Sequence, residues 1–336
     1  MSFNATHIFF RDSFMKAETS GSGEFRAERE QNEQYHAPVL LREVVELLAP
    51  ARGKIFVDGT LGGGGHSEAF LNAGAQVIAL DQDPEALAFA QKRLAHFGEN
   101  FRAVRANFAE MDRVLDELGV EQIDGALLDL GVSSHQLDSA ARGFSFMKQG
   151  PLDMRMNPAG EVTAADLVNN LSAEELARIF REFGEEPSAW RIAQRIIRER
   201  AERPFVTTLD LARTIEREIP RRGKTHPATR VFQALRIAVN RELEILEKAL
   251  ELFTTRLHSG SRFGVITFHS LEDRIVKTFF KQRSAEKIDR PEWPQPRANP
   301  LFSYRLVTRK AVTASAEEQA ANPRSRSAKL RVAEKV

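Results

Sequence analysis

Hydrophobic positions fall into short runs that alternate with segments of helical spacing from about residue 35 onward. Between the runs, apolar residues recur every three to four positions, which predicts helices at 85–97 and 111–118. Such alternation predicts a parallel sheet whose ligands bind at the carboxyl ends of its strands. The runs themselves have the β-branched and aromatic content of buried strands, and they lie at residues 54–57, 76–80, 101–105 and 123–130.

The pattern becomes almost purely helical between Thr163 and about Asn240, with Thr163 and Ser172 as candidate helix N-caps. A further buried strand at 261–268 and an amphipathic helix at 271–282 follow this segment. The helical segment therefore interrupts the sheet between its fourth and fifth strands. We expect it to form an inserted, all-helical domain.

Two late apolar runs, at 302–308 and 328–333, would complete a seven-stranded, mostly parallel sheet. The stretches at 284–300 and 311–327 are predicted to be loops, and a helix is expected from about residue 39 to 48. The fold class is therefore α/β. We predict a mobile tail at 1–34, a sheet domain formed by 35–139 and 241–336, and the helical insertion at 140–240.

Composition narrows the class of protein. The chain has 336 residues, 42% of them hydrophobic, and no apolar run long enough to span a membrane. The absence of cysteine excludes disulfides, thiolate chemistry and Cys-based zinc sites. The first residues lack the basic start and apolar centre of a signal peptide, so we expect a cytoplasmic protein. We also expect no metal, because His66 has no cluster of further ligands around it.

The net charge of +1 hides an uneven distribution. Residues 187–241 carry a net charge of +8 and residues 274–336 a net charge of +9, so the rest of the chain is strongly acidic. Two basic segments favour a polyanionic partner such as nucleic acid, although a basic helix face is often only solvated.

The stretch KIFVDGTLGGGGH at 54–66 joins the first strand to a helix through four consecutive glycines. Glycines let the backbone take positive φ and approach a ligand closely. The dinucleotide fingerprint fails because Ser67 stands where its last glycine should be. The D-x-G-x-G-x-G turn of S-adenosylmethionine enzymes fits better, with Asp58, Gly62 and Gly64 in place and Thr60 at the first glycine position.

Polar or aromatic residues end each of the first four strands. Asp81, at the end of the second strand, is placed to accept hydrogen bonds from ribose hydroxyls. Phe108 is either ordinary core or a platform for adenine. Asp58 and Asp129 end the first and fourth strands, so all four are expected at one edge of the sheet.

Seven longer motifs resemble one enzyme family: HAPVLL, DGTLGGGGHS, LLDLGVSS, RGFSFM, GPLDMRM, HPATRVFQALRIAVN and FHSLEDRIVK. Together they are similar to the bacterial small-subunit ribosomal RNA methyltransferases that modify the N4 amine of a decoding-site cytidine. The resemblance covers about residues 35–336. It implies a class I, Rossmann-like methyltransferase that uses S-adenosyl-L-methionine and acts on 16S ribosomal RNA in the small ribosomal subunit.

The resemblance also implies where the cofactor binds. One departure from the family pattern is His135, where related sequences often have proline. By matching motifs, the cofactor-binding residues are Gly64, Gly65, His66, Asp81, Phe108, Asp129 and Gln136.

Many amino-methyltransferases accept a hydrogen bond from the target amine with an Asn/Asp-Pro-Pro-aromatic turn, which this chain lacks. The equivalent segment is 129–134, so the candidate catalytic groups are Asp129, Ser133, Ser134 or a backbone carbonyl there. His269, at the end of the fifth strand, is a further candidate. The alternative is that Ser270 and Asp273 form only a capping box at this point.

His226, Arg230, Gln233 and Arg236 share one helical face and are candidates for contact with RNA. The alternative is a structural face held by salt bridges. Two other functions stay open from the residues alone: methylation of a protein or small molecule, and a non-catalytic role in ribosome assembly. The glycine turn with its strand-end acids disfavours the non-catalytic role, and the basic segments disfavour a small substrate.

Overall fold

A seven-stranded sheet forms the centre of the computed structural model, which describes residues 38–221, 223 and 226–336. Its strand order is β3-β2-β1-β4-β5-β9-β8, and the first five strands are parallel. β9 runs antiparallel to both β5 and β8. The strands, including the two-stranded ribbon β6–β7, are β1 Ile55–Asp58, β2 Gln76–Asp81, β3 Phe101–Arg105, β4 Ile123–Asp129, β5 Leu257–Thr267, β6 Lys287–Ile288, β7 Arg297–Ala298, β8 Tyr304–Leu306 and β9 Lys329–Lys335.

Helices cover both faces of the sheet and fill the segment between β4 and β5. Short 3₁₀ turns lie at Ala95–Asn100, Phe108–Glu110, Ala140–Arg142 and Pro323–Ser327. The α-helices are α1 Leu41–Leu48, α2 Gly65–Asn72, α3 Pro84–Leu94, α4 Met111–Glu117, α5 Ser134–Asp138, α6 Ala164–Asn170, α7 Ala173–Gly184, α8 Ala189–Glu202, α9 Thr208–Glu218, α10 Ala228–Asn240, α11 Glu242–Arg256, α12 Ser270–Ser284 and α13 Ala316–Ala321.

The strand order confirms the predicted α/β class and the seven-stranded sheet. The chain leaves β1 toward β2 on one side, and β4 lies on the other side of β1, so the order reverses between β1 and β4. In open parallel sheets this reversal opens a crevice at the carboxyl ends of the strands. Asp58 and Asp129 end the two strands on either side of it.

Each sheet face has its own apolar core. On one face, α4, α11 and α12 cover the sheet, and Phe253 stacks on Phe263 with ring centroids 5.1 Å apart. On the other face, α1, α2 and α3 pack over β1 and β2, where Phe56 and Phe70 meet at 5.1 Å. These two layers hold the strand ends in fixed positions, because close-packed cores resist displacement.

The segment between β4 and β5 carries a third core, built from residues between Phe144 and Leu235. Thr163 and Ser172 cap α6 and α7 with complete capping boxes, as the sequence predicts. The domain boundaries at 140 and 240 stay a prediction. The tail at 1–34 lies outside the residues that the structure describes.

Two stretches predicted as loops contain short elements. The ribbon β6–β7 lies within 284–300, and α13 lies within 311–327, where the Ser315 hydroxyl accepts a hydrogen bond from Glu318 N. Strands of two residues are too short to show an apolar period, which is why the pattern misses them. Among the described helices, none has both the length and the apolar character needed to cross a membrane.

Candidate active site

The turn after β1 is held by a buried carboxylate. Asp58 Oδ2 accepts a hydrogen bond from Ser67 Oγ at 2.7 Å, and Oδ1 accepts one from Thr60 N at 3.1 Å. Burial raises the pKa of Asp58, while the bond from Ser67 opposes that rise. Asp58 stabilises the turn through these two bonds. Only 1% of its surface is exposed, so it is poorly placed to contact a ligand.

Two glycines in this turn adopt positive φ, Gly62 at +50° and Gly64 at +78°. A Cβ on Gly62 would have no heavy atom nearer than 3.9 Å, so that side of the turn is open. A Cβ on Gly65 would instead lie 2.9 Å from the Pro38 ring. The missing side chain at Gly62 thus leaves room for a ligand. The missing side chain at Gly65 instead lets Pro38, just before α1, pack against the turn.

Asp81 ends β2 beside the same turn. Its Oδ2 accepts a hydrogen bond from Gly62 N and its Oδ1 one from Asp83 N, both at 2.9 Å. Burial raises the pKa of Asp81 to about 6, with smaller contributions from the charges of Asp83 and Asp58. Each carboxylate oxygen can accept a second hydrogen bond, so Asp81 retains capacity for two hydroxyl donors.

His66 and Asp129 meet at the floor of the crevice. His66 is the second residue of α2, and its Nε2 lies 3.5 Å from Asp129 Oδ2. Both ring nitrogens of His66 and Asp129 Oδ1 are buried without a hydrogen-bond partner. The backbone of Asp129 is held in place, because its N–H donates a hydrogen bond to Thr60 Oγ1 at 2.6 Å.

Buried polar atoms without partners are rare in folded proteins and require an explanation. Three such atoms lie on His66 and Asp129, whose side chains are 3.5 Å apart. A ligand with polar groups would satisfy them at no cost to the fold. These residues would fit the polar groups of an adenosyl cofactor, because Asp81 can accept hydrogen bonds from hydroxyl groups and the open side of Gly62 admits a close approach.

Gln136 lies at the rim of the crevice in a network that the sequence does not reveal. Its side-chain amide donates to Asp83 Oδ2 at 2.9 Å, and its oxygen accepts a hydrogen bond from Ser133 N at 3.0 Å. Arg142 donates to the same Asp83 oxygen at 2.5 Å. Asp83 also caps α3, as predicted. Gln136 therefore braces the loop after β4 against α3, in addition to any contact with cofactor.

The remaining predicted residues of this loop are on its first helical turn. The Ser133 hydroxyl accepts a hydrogen bond from Gln136 N and caps α5, and Ser134 is the first residue of that helix. His135 Nε2 lies 2.8 Å from Glu85 Oε2 on α3. His135, the one departure from the family pattern, thus links α5 to α3 through Glu85.

Phe108 opens the 3₁₀ turn after β3 and packs, partly buried, against the sheet core. Asn107 caps that turn, and its amide donates to Gln82 Oε1 at 3.3 Å. The ring stands at the carboxyl end of β3, beside β2. Partial burial leaves both alternatives for Phe108 open, because the ring packs against the core and is not fully covered.

His269 caps α12, which corrects one alternative drawn from the sequence. The capping box joins His269 and Glu272, whereas Ser270 and Asp273 take no part in it. Ser270 Oγ instead donates to Glu185 Oε2 at 2.8 Å, and Asp273 pairs with Lys329 and Arg331. An imidazole nitrogen can accept from a backbone N–H as a hydroxyl does, which a search for Ser, Thr, Asp or Asn caps overlooks.

A buried charge network lies behind His269. Glu272 Oε1 is 3.0 Å from His269 Nε2, although this nitrogen has no partner with the geometry of a good hydrogen bond. Burial alone would raise the pKa of Glu272, but His269 and Arg236 together lower it. Ligand atoms of Glu242, His269 and Glu272 lie within 4.8 Å of one another, as in a metal site. The guanidinium of Arg236 already supplies a positive charge to this group, which disfavours a metal ion there.

The four residues predicted to meet RNA are each bonded within the protein. Arg236 forms two parallel bonds to Glu242, at 2.9 and 2.8 Å, and Gln233 donates to Phe183 O at 3.1 Å. His226 stacks on Phe146 with ring centroids 4.7 Å apart. Arg230 is exposed and donates to Glu185 O at 3.3 Å. These contacts favour the structural alternative for Arg236 and leave Arg230 the most accessible of the four.

Known proteins match nearly the whole chain. A relative from Geobacter sulfurreducens named "Ribosomal RNA small subunit methyltransferase H" is 52% identical over 307 residues, covering 90% of this chain and 99% of its own. Relatives of the same name from Anaeromyxobacter sp. and Citrifermentans bemidjiense are 52% and 51% identical over 90% of this chain, and over 98% and 99% of their own. A solved rRNA methylase from Streptococcus thermophilus is 12% identical, with a TM-score of 0.39 over 88% of this chain and 93% of its own, too distant for inference.

Two findings decide the family. The sequence model of the MraW methylase family matches residues 33–336, which include every described element of the sheet and of the helical segment. The relatives exceed half identity over nine-tenths of the chain. The chain belongs to the MraW methylase family.

Proposed function

We propose that this protein methylates the N4 amine of a decoding-site cytidine in the 16S RNA of the small ribosomal subunit. The observation that carries the proposal is its similarity, over nine-tenths of the chain, to relatives named as small-subunit ribosomal RNA methyltransferases. Family membership confirms the predicted methyltransferase class and its cofactor, S-adenosyl-L-methionine. The cytosine N4 target and the decoding site rest on the motif resemblance, and the cytoplasmic location stays a prediction with them.

The bound cofactor would supply a methyl group on a positively charged sulfur, which is already activated for transfer. The protein must therefore contribute mainly position. A cytosine N4 lone pair is delocalised into the ring, so a group that accepts a hydrogen bond from the amine helps to localise it. In the net reaction the sulfur–carbon bond breaks, a nitrogen–carbon bond forms and the amine gives up one proton.

Asp129 is the best placed acceptor. Its Oδ1 is buried without a partner, and its backbone is fixed both by Thr60 and by the pairing of β4 with β5. A carboxylate in that position accepts a hydrogen bond without first rearranging, which is how preorganised polar groups lower a barrier. We infer that Asp129 orients the cofactor or the amine, and that the Ser133–Ser134 turn forms the other side of the junction.

His269 is a second candidate for contact with the target cytosine. It stands after β5, beside β4, and its Nε2 has no hydrogen-bond partner. Because Nδ1 accepts the capping bond from Glu272 N, the neutral imidazole carries its hydrogen on Nε2 and can donate it to the base, while the proton released by the amine passes to Asp129 or to water. The helical segment reaches this point through Arg236 and Glu242, so we propose that it helps to place the substrate here.

Mass mapping of modified cytidines tests the proposal. Small-subunit RNA from cells that lack this protein should have lost one N4-methyl group, and the wild-type gene should restore it. The Asp129→Asn variant should restore it poorly although the protein is present at the same level. An unchanged set of methylated cytidines in cells lacking the protein would refute the proposed target.

A further inference from the structure

A basic groove lies outside the crevice, between α12 and the β6–β7 ribbon. Its volume is about 770 Å³. Arg274, Lys277 and Lys281 line one wall and Lys287 lines the other, while Asp289 is the one acid among the lining residues. The groove is thus strongly positive and within the size range of ligand sites.

The lysines of this groove are not neutralised by the protein. Over residues 38–221, 223 and 226–336, no ion pair involves Lys277, Lys281 or Lys287, and all three are exposed. In the basic helical segment, acids pair with five of the arginines, which are Arg191, Arg195, Arg203, Arg217 and Arg236. The lysines on α12 and the ribbon therefore keep their positive charge available to a partner.

The groove is continuous with the crevice along the chain. α12 begins at Ser270, directly after His269 at the carboxyl end of β5. Arg274, Lys277 and Lys281 follow at intervals of three and four residues, which places them on one helical face. Lys281 lies about 16 Å along the axis from Ser270 at 1.5 Å per residue. The cations thus mark a path that leads away from the reacting groups.

The ribbon adds a planar cationic surface at the far end of this path. In the connection between β6 and β7, the Trp293 ring has the Arg290 guanidinium 5.0 Å from its centroid and the Arg297 guanidinium at 4.8 Å. Both arginines are exposed. Guanidinium planes and aromatic rings are surfaces on which unpaired bases stack, and sites for single strands combine such surfaces with a positive groove.

We propose that α12 and the β6–β7 ribbon bind the single-stranded RNA that flanks the methylated nucleotide. The inference rests on the proposed function, since it assumes an RNA substrate in the crevice. Charge complementarity selects the partner, because unpaired lysines at intervals along a groove match the regular charges of a phosphate backbone. The path from His269 gives the direction in which the strand leaves the site.

The Lys277→Glu/Lys281→Glu double variant tests the proposal. Its matched control is Lys92→Glu/Lys248→Glu, which changes the net charge equally at exposed positions on α3 and α11. The probe is a fluorescent, unstructured RNA oligonucleotide of about 12 nucleotides, within the site sizes of single-strand binders. Affinity is measured by anisotropy over a range of salt concentrations.

We expect the double variant to bind the oligonucleotide at least tenfold more weakly at low salt. The slope of log affinity against log salt should become shallower by about 1.4, at roughly 0.7 for each phosphate that the variant no longer neutralises. The control should keep the wild-type slope. Calorimetry should give the wild-type affinity for S-adenosylmethionine in both variants, which shows that the crevice is intact.

A methylation assay on small subunits purified from cells that lack this protein separates failure of the proposed function from failure of the groove proposal. If wild-type protein does not methylate them, the proposed function fails, whatever the oligonucleotide shows. If the wild type methylates them and the variant binds RNA with an unchanged slope, the groove proposal is overturned. The groove proposal is overturned even if such a variant loses methylation. The groove would then bind an acidic protein of the subunit instead of RNA.

Discussion

His66 Nε2 and Asp129 Oδ2 lie 3.5 Å apart at the floor of the crevice, although one residue lies in the first turn of α2 and the other ends β4. Neither nitrogen of the imidazole has a hydrogen-bond partner, and the second oxygen of the carboxylate has none either. The pair is thus held in place by its two elements rather than by its own bonds. Side chains placed in this way can bind a ligand without first breaking contacts within the protein.

The His66→Gln variant should weaken S-adenosylmethionine binding by about 1 to 3 kcal/mol, the cost of losing a hydrogen bond from a buried site. Its thermal unfolding should change little, because the imidazole makes no hydrogen bond in the protein. Calorimetry and thermal denaturation measure the two effects. The Ser67→Ala control should behave in the opposite way and lose mainly stability, since Ser67 Oγ bonds to buried Asp58. Equal affinities in wild type and His66→Gln would remove His66 from the site.

Cofactor affinity should fall as the pH is lowered below about 6. Hydroxyl donors need the ionised form of Asp81, whose pKa in the free protein is raised to about 6 by burial. Below that value the carboxyl is protonated, and ionising it again costs about 1.4 kcal/mol per pH unit. The dissociation constant should therefore rise by up to tenfold per unit below pH 6 and be constant above it.

Calorimetry between pH 5 and pH 8 would measure this dependence, with Asp81→Asn as the control. That variant should bind more weakly and show a flat profile. A profile that keeps its bend near pH 6 in Asp81→Asn would assign the titration to another group, with buried Asp58 as the first alternative.

The Asp129→Asn variant should both raise the cofactor's dissociation constant and lower single-turnover methylation. The change retains size and shape but removes the charge opposite His66. An effect on both quantities identifies an interaction made in the ground state and strengthened in the transition state. Ser133→Ala is the matched comparison: as a cap of α5 it should cost about 1 kcal/mol of stability. A lower turnover in Ser133→Ala at normal affinity would move the amine's hydrogen-bond acceptor from Asp129 to that hydroxyl.

The Arg236→Gln variant should destabilise the fold by about 3 to 5 kcal/mol, because it leaves Glu242 nearly buried and unpaired. The Arg236→Gln/Glu242→Gln variant should recover much of that loss, which thermal or urea denaturation would measure as a double-mutant cycle. If Arg236→Gln unfolds like the wild type and instead loses RNA affinity, the sequence-based assignment of Arg236 to RNA contact is right and the structural one is wrong.

The strand-end acids could be located from the sequence because each follows an apolar run directly. Asp58, Asp81 and Asp129 end β1, β2 and β4 in the structure. Contacts between distant segments carry no such local signal. The bonds from Gln136 and Arg142 to Asp83 span more than 50 positions of the chain, and no periodicity reports them.

The ion pair between Arg236 and Glu242 could not be predicted from the sequence for a different reason. Helical spacing places ion pairs three or four residues apart, whereas Glu242 is six residues away and on the next helix. Arg241 joins the two helices with a φ of +50°, a left-handed conformation that turns Glu242 back toward Arg236. A non-glycine residue in that conformation is uncommon, and the sequence gives no sign of it.

The insertion between β4 and β5 also determines how the chain can fold. Asp129 pairs with Ile266 in the parallel ladder, about 137 positions along the chain. Closing so long a loop costs entropy before any contact repays it, so such pairing is slow, whereas the helices between the two strands form through local contacts. β9 then pairs with β5 from the last residues of the chain. During synthesis, the intervening helices can therefore be complete well before the sheet closes.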